Sequence, residues 1–143
     1  MAAPASRSSG LRGALPFLGL AVAIWALLPP YTGAELATEM RVEIADHVVP
    51  SILMIVLSLT ALVRDRRAGA QPGSFMLLAG LGILLAGFWM VATHVPLVGQ
   101  YRRDEVPGLA LSTVAHHTAP GVAVMLLGLV WAALYWNDAS SET

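Results

Sequence analysis

Apolar residues along this chain gather into four long blocks, at about 13–31, 43–63, 75–97 and 110–136, separated by short polar stretches. Each block is long enough as a helix to cross a hydrocarbon core of about 30 Å, which takes roughly 20 residues at 1.5 Å per residue. A helix satisfies its own backbone hydrogen bonds, so lipid imposes this pattern, whereas a soluble bundle would carry charged faces inside the blocks. The pattern predicts an all-α integral membrane protein, a four-transmembrane-helix bundle built as two helical hairpins. The organisation it implies is a tail at 1–12, a first hairpin at 13–63, a loop at 64–74, a second hairpin at 75–136 and a tail at 137–143. Ala70-Gln71-Pro72-Gly73-Ser74 is a turn signal between the hairpins, and Tyr31, Tyr101, Tyr135 and Trp136 fall at span ends, where amphipathic rings favour the headgroup zone.

Composition strengthens this reading: 57% of the 143 residues are hydrophobic and 12% charged, too apolar for an ordinary soluble domain. Arg7 and Arg12 ahead of the first block suggest a signal peptide, but the apolar run from Ala14 to Pro30 is close to spanning length and no clear small-residue cleavage site follows it, so it reads as a span. Arginine sets the orientation. Arg7, Arg12, Arg64, Arg66 and Arg67 flank one side, against Arg41, Arg102 and Arg103 on the other. By the positive-inside rule both termini and the 64–74 loop lie in the cytoplasm, and loops 32–42 and 98–109 lie outside. The expected location is a cell membrane, the bacterial cytoplasmic membrane, with the lipid bilayer as first partner and a larger membrane complex or a homo-oligomer as the second. The net charge of −1 and the lack of any long basic run give nucleic-acid binding no support. With no cysteine, any metal would rest on histidine, carboxylate or methionine.

The second and fourth spans superpose at an offset of 70 residues, pairing Ala45-Asp46-His47-Val48-Val49-Pro50 with Ala115-His116-His117-Thr118-Ala119-Pro120. Upstream, Ile24-Trp25 ending at Pro29-Pro30 is echoed by Phe88-Trp89 ending at Pro96. Histidine and proline are both uncommon inside spans, so the shared His-x-x-Pro points to two hairpins of the same orientation, related by an axis along the membrane normal. In its paired hairpins with a tryptophan ahead of a proline, the arrangement resembles small bacterial SPW-repeat membrane proteins. The defining Ser-Pro-Trp is absent here, so the resemblance implies the hairpin layout and no function.

Counting back at 1.5 Å per residue places His47, His94 and His117 about 24, 28 and 28 Å from the cytoplasmic ends of their spans, near the outer edge of the core. Three helices thus bring a histidine to one level, and ionisable groups in spans face the bundle interior or a water-filled cavity. His116 points about 100° away from His117 and stands where Asp46 does in the first copy, beside the centre. Glu43 lies one turn before His47 and is placed to orient its ring. Pro50 and Pro120 free the carbonyls of Asp46 and His116 beside the histidines.

Three readings stay open for this cluster. In the first, His47 and His117 are axial ligands of a b-type haem wrapped by Trp89 and Met90, or His47, His94 and His117 bind a divalent metal such as zinc or copper, with Glu43, Asp46 and His116 around them. In the second, the histidines line a polar pocket in a non-enzymatic accessory or assembly subunit. In the third, they belong to a small transporter or proton relay, against which the inner half of every span lacks a charged residue. Glycines Gly80, Gly82 and Gly87, with Gly121 and Gly128, are able to bring helices close, yet no strict Gly-x-x-x-Gly occurs in the spans and glycine is common there. Enzyme signatures such as His-Glu-x-x-His, Gly-x-Ser-x-Gly and a phosphate loop are absent.

Overall fold

The computed structural model describes residues 7–27, 44–68 and 73–140. Helix α1 spans Arg7–Leu27; a π-helical turn, Ile44–Val48, leads directly into α2, Val49–Ala68; α3 spans Gly73–Arg102 and α4 Leu111–Ser140. All four are long and apolar enough to cross a membrane, and no strand occurs among the described residues. Large apolar side chains such as Leu78, Leu85 and Phe88, each more than 60% exposed, face outward where only lipid would cover them. The chain is an all-α, four-helix membrane protein.

The helices form a square in which α1 touches α2, α2 touches α3, α3 touches α4 and α4 closes back on α1, while the diagonal pairs stay apart. The tightest seam joins α3 to α4. Gly80 and Gly87 stand seven residues apart on α3, as do Gly121 and Gly128 on α4. A Cβ on Gly80 would lie 2.6 Å from Ala132 N, and one on Gly87 would strike the backbone of Met125. From the other side, a Cβ on Gly128 would strike the backbone of Leu84 and one on Gly121 would lie 2.9 Å from Met90 Cβ. Each glycine therefore receives bulk from the opposite helix, including the fully buried Trp131 beside Gly80 and Ile83 beside Gly128. In lipid no hydrophobic effect drives helices together, so this backbone-level packing is what holds the pair. The sequence reading gave these glycines little weight because they follow a seven-residue step rather than Gly-x-x-x-Gly.

Burial follows the proposed repeat. At an offset of 70, His47 in the π turn and Pro50, Ser51, Met54, Ser58 and Ala61 on α2 are buried, and so are His117, Pro120, Gly121, Val124, Gly128 and Trp131 on α4. At an offset of 64, buried Leu15, Pro16, Gly19, Ala23 and Ala26 on α1 match buried Ala79, Gly80, Ile83, Gly87 and Met90 on α3. The two hairpins thus present the same faces to the bundle interior. Pro96 does not end α3, which continues to Arg102, and α4 runs to Ser140, so both helices outrun the spans marked by hydropathy.

At the end opposite the histidines, Arg12 ties α1 to α4. Its guanidinium forms an ion pair with Asp138 at 2.7 Å, donates to the Leu134 carbonyl at 2.7 Å and lies 5.0 Å over the Tyr135 ring.

Candidate metal centre

The π turn positions the first histidine. A π turn pairs each carbonyl with the N–H five residues on, which for Ala45 is the missing N–H of Pro50. The orphaned Ala45 carbonyl instead accepts the indole N–H of Trp89 at 3.1 Å, pinning the turn to α3. The α-helical count had assigned the freed carbonyl to Asp46; the wider turn moves it back one residue. Trp89 is accordingly spent on the outer surface, 54% exposed, and does not line the histidine pocket.

His47 from the π turn, His94 from α3 and His117 from α4 are 2%, 8% and 6% exposed. The His47 and His94 ring centroids are 5.1 Å apart and nearly edge-on, and the His94 and His117 rings are stacked 6.1 Å apart. One nitrogen of each lies within 4.8 Å of the others. His94 extends the Gly80–Gly87 step by seven more residues and emerges from the close-packed seam, so its ring reaches His117 across a short gap. A haem held by His47 and His117 alone would leave His94 outside the pair; it stands between the two others in the ring contacts.

The tautomer of His94 follows from its neighbours. Its Nδ1 is 2.7 Å from the Met90 carbonyl, which only accepts, so Nδ1 carries the proton and donates. Thr93 Oγ1, which donates to the same carbonyl at 3.0 Å, lies 3.3 Å from that nitrogen. Nε2 then holds a lone pair, and a ring locked by a carbonyl on one nitrogen is the usual partner of a metal on the other.

His116 is exposed, turned away from the cluster by its 100° step from His117, and Asp46 is buried within the π turn next to His47. Glu43 lies outside the described residues. Sequence reasoning passed over Ser51 and Ser58, both fully buried on the interior face of α2, which follows the turn that carries His47. Their spacing of four and eleven residues from His47 is the signal that places them there.

No family model, no curated protein and no solved structure matches this chain. Fold and site together define a class: a four-helix membrane protein with three buried histidines, from three helices, that can hold a metal ion.

Proposed function

We propose that this protein binds one divalent first-row transition ion, zinc or copper, through His47, His94 and His117, near the external face of the membrane. The observation that carries the reading is the convergence of three buried imidazole nitrogens to within 4.8 Å. Ligands at 2.0–2.1 Å from an ion stand about 3.3–3.6 Å apart, so side-chain rotation of about an ångström closes the site. Neutral imidazole suits zinc and copper alike, and the carbonyl-locked His94 is already in a ligating tautomer. A haem between His47 and His117 fits less well. The His94 ring, 5.1 Å from one and 6.1 Å from the other, fills the level where a flat macrocycle would lie, and the glycine seam holds α3 against α4. The role is that of a non-enzymatic subunit that holds or passes a metal within a membrane complex, with the arginine count supporting cytoplasmic termini.

Metal analysis and an absorption spectrum of the detergent-purified, metal-loaded chain test this reading. The expected result is one ion per chain with no Soret band. His47→Ala, His94→Ala and His117→Ala should each weaken binding by more than the 10–100-fold typical of groups that only support a ligand. His116→Ala should bind as the parent does. A Soret band lost with His47 or His117 would replace the ion with haem, and no bound ion at all would leave the accessory role without a metal. Impermeant thiol labelling of intact cells should mark Gly99→Cys and spare Gly69→Cys; the reverse overturns the orientation.

A further inference from the structure

Three imidazoles leave a four-coordinate ion with one position to fill, and sites of that kind keep it for water or substrate. Among the described residues no fourth histidine or carboxylate joins the three within ligand reach. One buried polar group stands a short way along the chain from His47. Ser51 is fully buried, and its Oγ has no hydrogen-bond partner. It follows His47 by four residues, both side chains are buried in the bundle interior, and helical side chains lean towards the N-terminus, which tilts the Ser51 hydroxyl towards the histidine level.

Two threonine hydroxyls in the spans are discharged on their own helices, whereas Ser58, two turns further from the histidines, is left unpartnered like Ser51. Thr60 donates to the Val56 carbonyl at 2.7 Å and Thr118 to the Val114 carbonyl at 2.9 Å. Ser51 makes no such bond. At the corresponding layer α3 has Met90, one turn before His94, and α4 has Gly121, one turn after His117, and these two apolar positions pack together. A buried hydroxyl without a partner costs stability unless an oxygen- or nitrogen-bearing guest completes it.

Resting on the metal reading above, we propose that the ion's fourth position is open, that it takes water, hydroxide or a small anion, and that Ser51 positions this guest. The Ser51 O–H donates to a bound hydroxide or anion and its oxygen accepts from a bound water. Ser51 is thus a positioning residue, and the ion is exchangeable at one ligand rather than sealed by protein.

Cobalt(II) in place of the native ion, with azide as the probe, tests this on the full chain in detergent. The expected result is one cobalt per chain with visible d–d bands that shift on azide addition. Ser51→Ala should keep the cobalt stoichiometry and lose about tenfold or more in azide affinity, the scale of one hydrogen bond to a charged group. Ser51→Thr, which retains the hydroxyl, should restore it and serves as the readout if the alanine variant does not fold. Cobalt bound with no azide response shows a site closed by four protein ligands and overturns the open position, leaving the metal reading intact. Equal azide affinity in the parent and Ser51→Ala overturns the role of Ser51. Failure to bind cobalt, zinc or copper overturns the metal reading and this inference with it.

Discussion

In the second hairpin Gly80, Gly87, Gly121 and Gly128 set α3 and α4 at backbone contact; at the corresponding repeat positions the first hairpin has Pro16, Ala23, Ser51 and Ser58. Its own close approach comes from Gly19, over which Ser58 Oγ sits with the Trp131 ring nearby. Both hairpins bury the same faces, yet one spends those positions on packing and the other places two hydroxyls in the interior. The histidines divide along the same line. Each hairpin supplies one from its His-x-x-Pro helix, and the second adds His94, which continues the glycine step; at the 64-residue offset the first hairpin has Pro30. The two copies of the His-x-x-Pro pattern therefore carry two of the three histidines, and the positions at which the hairpins differ carry His94 and Ser51.

The sharpest break in this comparison comes from bulk on the glycine seam. Gly87→Leu would drive a side chain into the Met125 backbone, which has no rotamer with which to yield, so α3 and α4 should separate. Size-exclusion chromatography in detergent should show an aggregated or expanded species, and Gly87→Ala should cost about 3 kcal/mol, the upper range for overpacking. Ala23→Ser at the matching place in the first hairpin should stay folded. If Gly87→Leu folds and melts like the parent, the seam is not what holds the second hairpin.

Next in size is the pin between the hairpins. Trp89→Phe keeps the aromatic surface and removes the indole N–H that donates to the Ala45 carbonyl, so the π turn loses about 1 kcal/mol. Because that turn carries His47, metal affinity should fall severalfold, while His117→Ala in the same background should show no further dependence on residue 89. Unchanged affinity in Trp89→Phe would show that the turn holds His47 without its partner.

Hydropathy made the four spans legible because lipid demands about 20 apolar residues per crossing whatever the helices pack against. The level shared by His47, His94 and His117 was legible for a related reason: helical rise is uniform, so depth can be counted. Neighbour relations were not legible. Nothing local says that α2 and α4 face each other across the diagonal, or that His94 stands between their histidines. The glycine seam was hidden by its seven-residue step, which reads as background until the facing helix is in place. The π turn was hidden because Pro50 announces a broken ladder without saying which carbonyl is released. Ser51 and Ser58 belong to no motif in the sequence, and only their burial shows which way they face.

Smaller again is the clasp at the far end. Arg12 and Asp138 are 35% and 40% exposed, so their ion pair is worth less than about 1 kcal/mol after solvent screening. Arg12 also donates to the Leu134 carbonyl and covers Tyr135, so Arg12→Leu should lower the melting temperature more than Asp138→Asn does. Added salt should shrink the effect of Asp138→Asn and leave most of that of Arg12→Leu. Equal losses that vanish together in salt would make the clasp purely ionic and the first hairpin's hold on α4 weaker than the geometry implies.

The smallest effect should fall at Ser58. This serine is fully buried, its Oγ has no hydrogen-bond partner, and it occupies the repeat position of Gly128. A buried hydroxyl left unsatisfied is a cost, so removing it without changing the shape of the site is neutral or stabilising. Ser58→Ala keeps the Cβ that rests on Gly19 and should melt at or slightly above the parent temperature with metal binding unchanged, in contrast to Ser51→Ala two turns nearer the histidines. Gly128→Ser should be strongly destabilising, because the same side chain would then meet the Leu84 backbone. If Ser58→Ala lost about 1 kcal/mol or more, an internal water would be completing the hydroxyl, and the first hairpin would be hydrated as deep as the Trp131 layer.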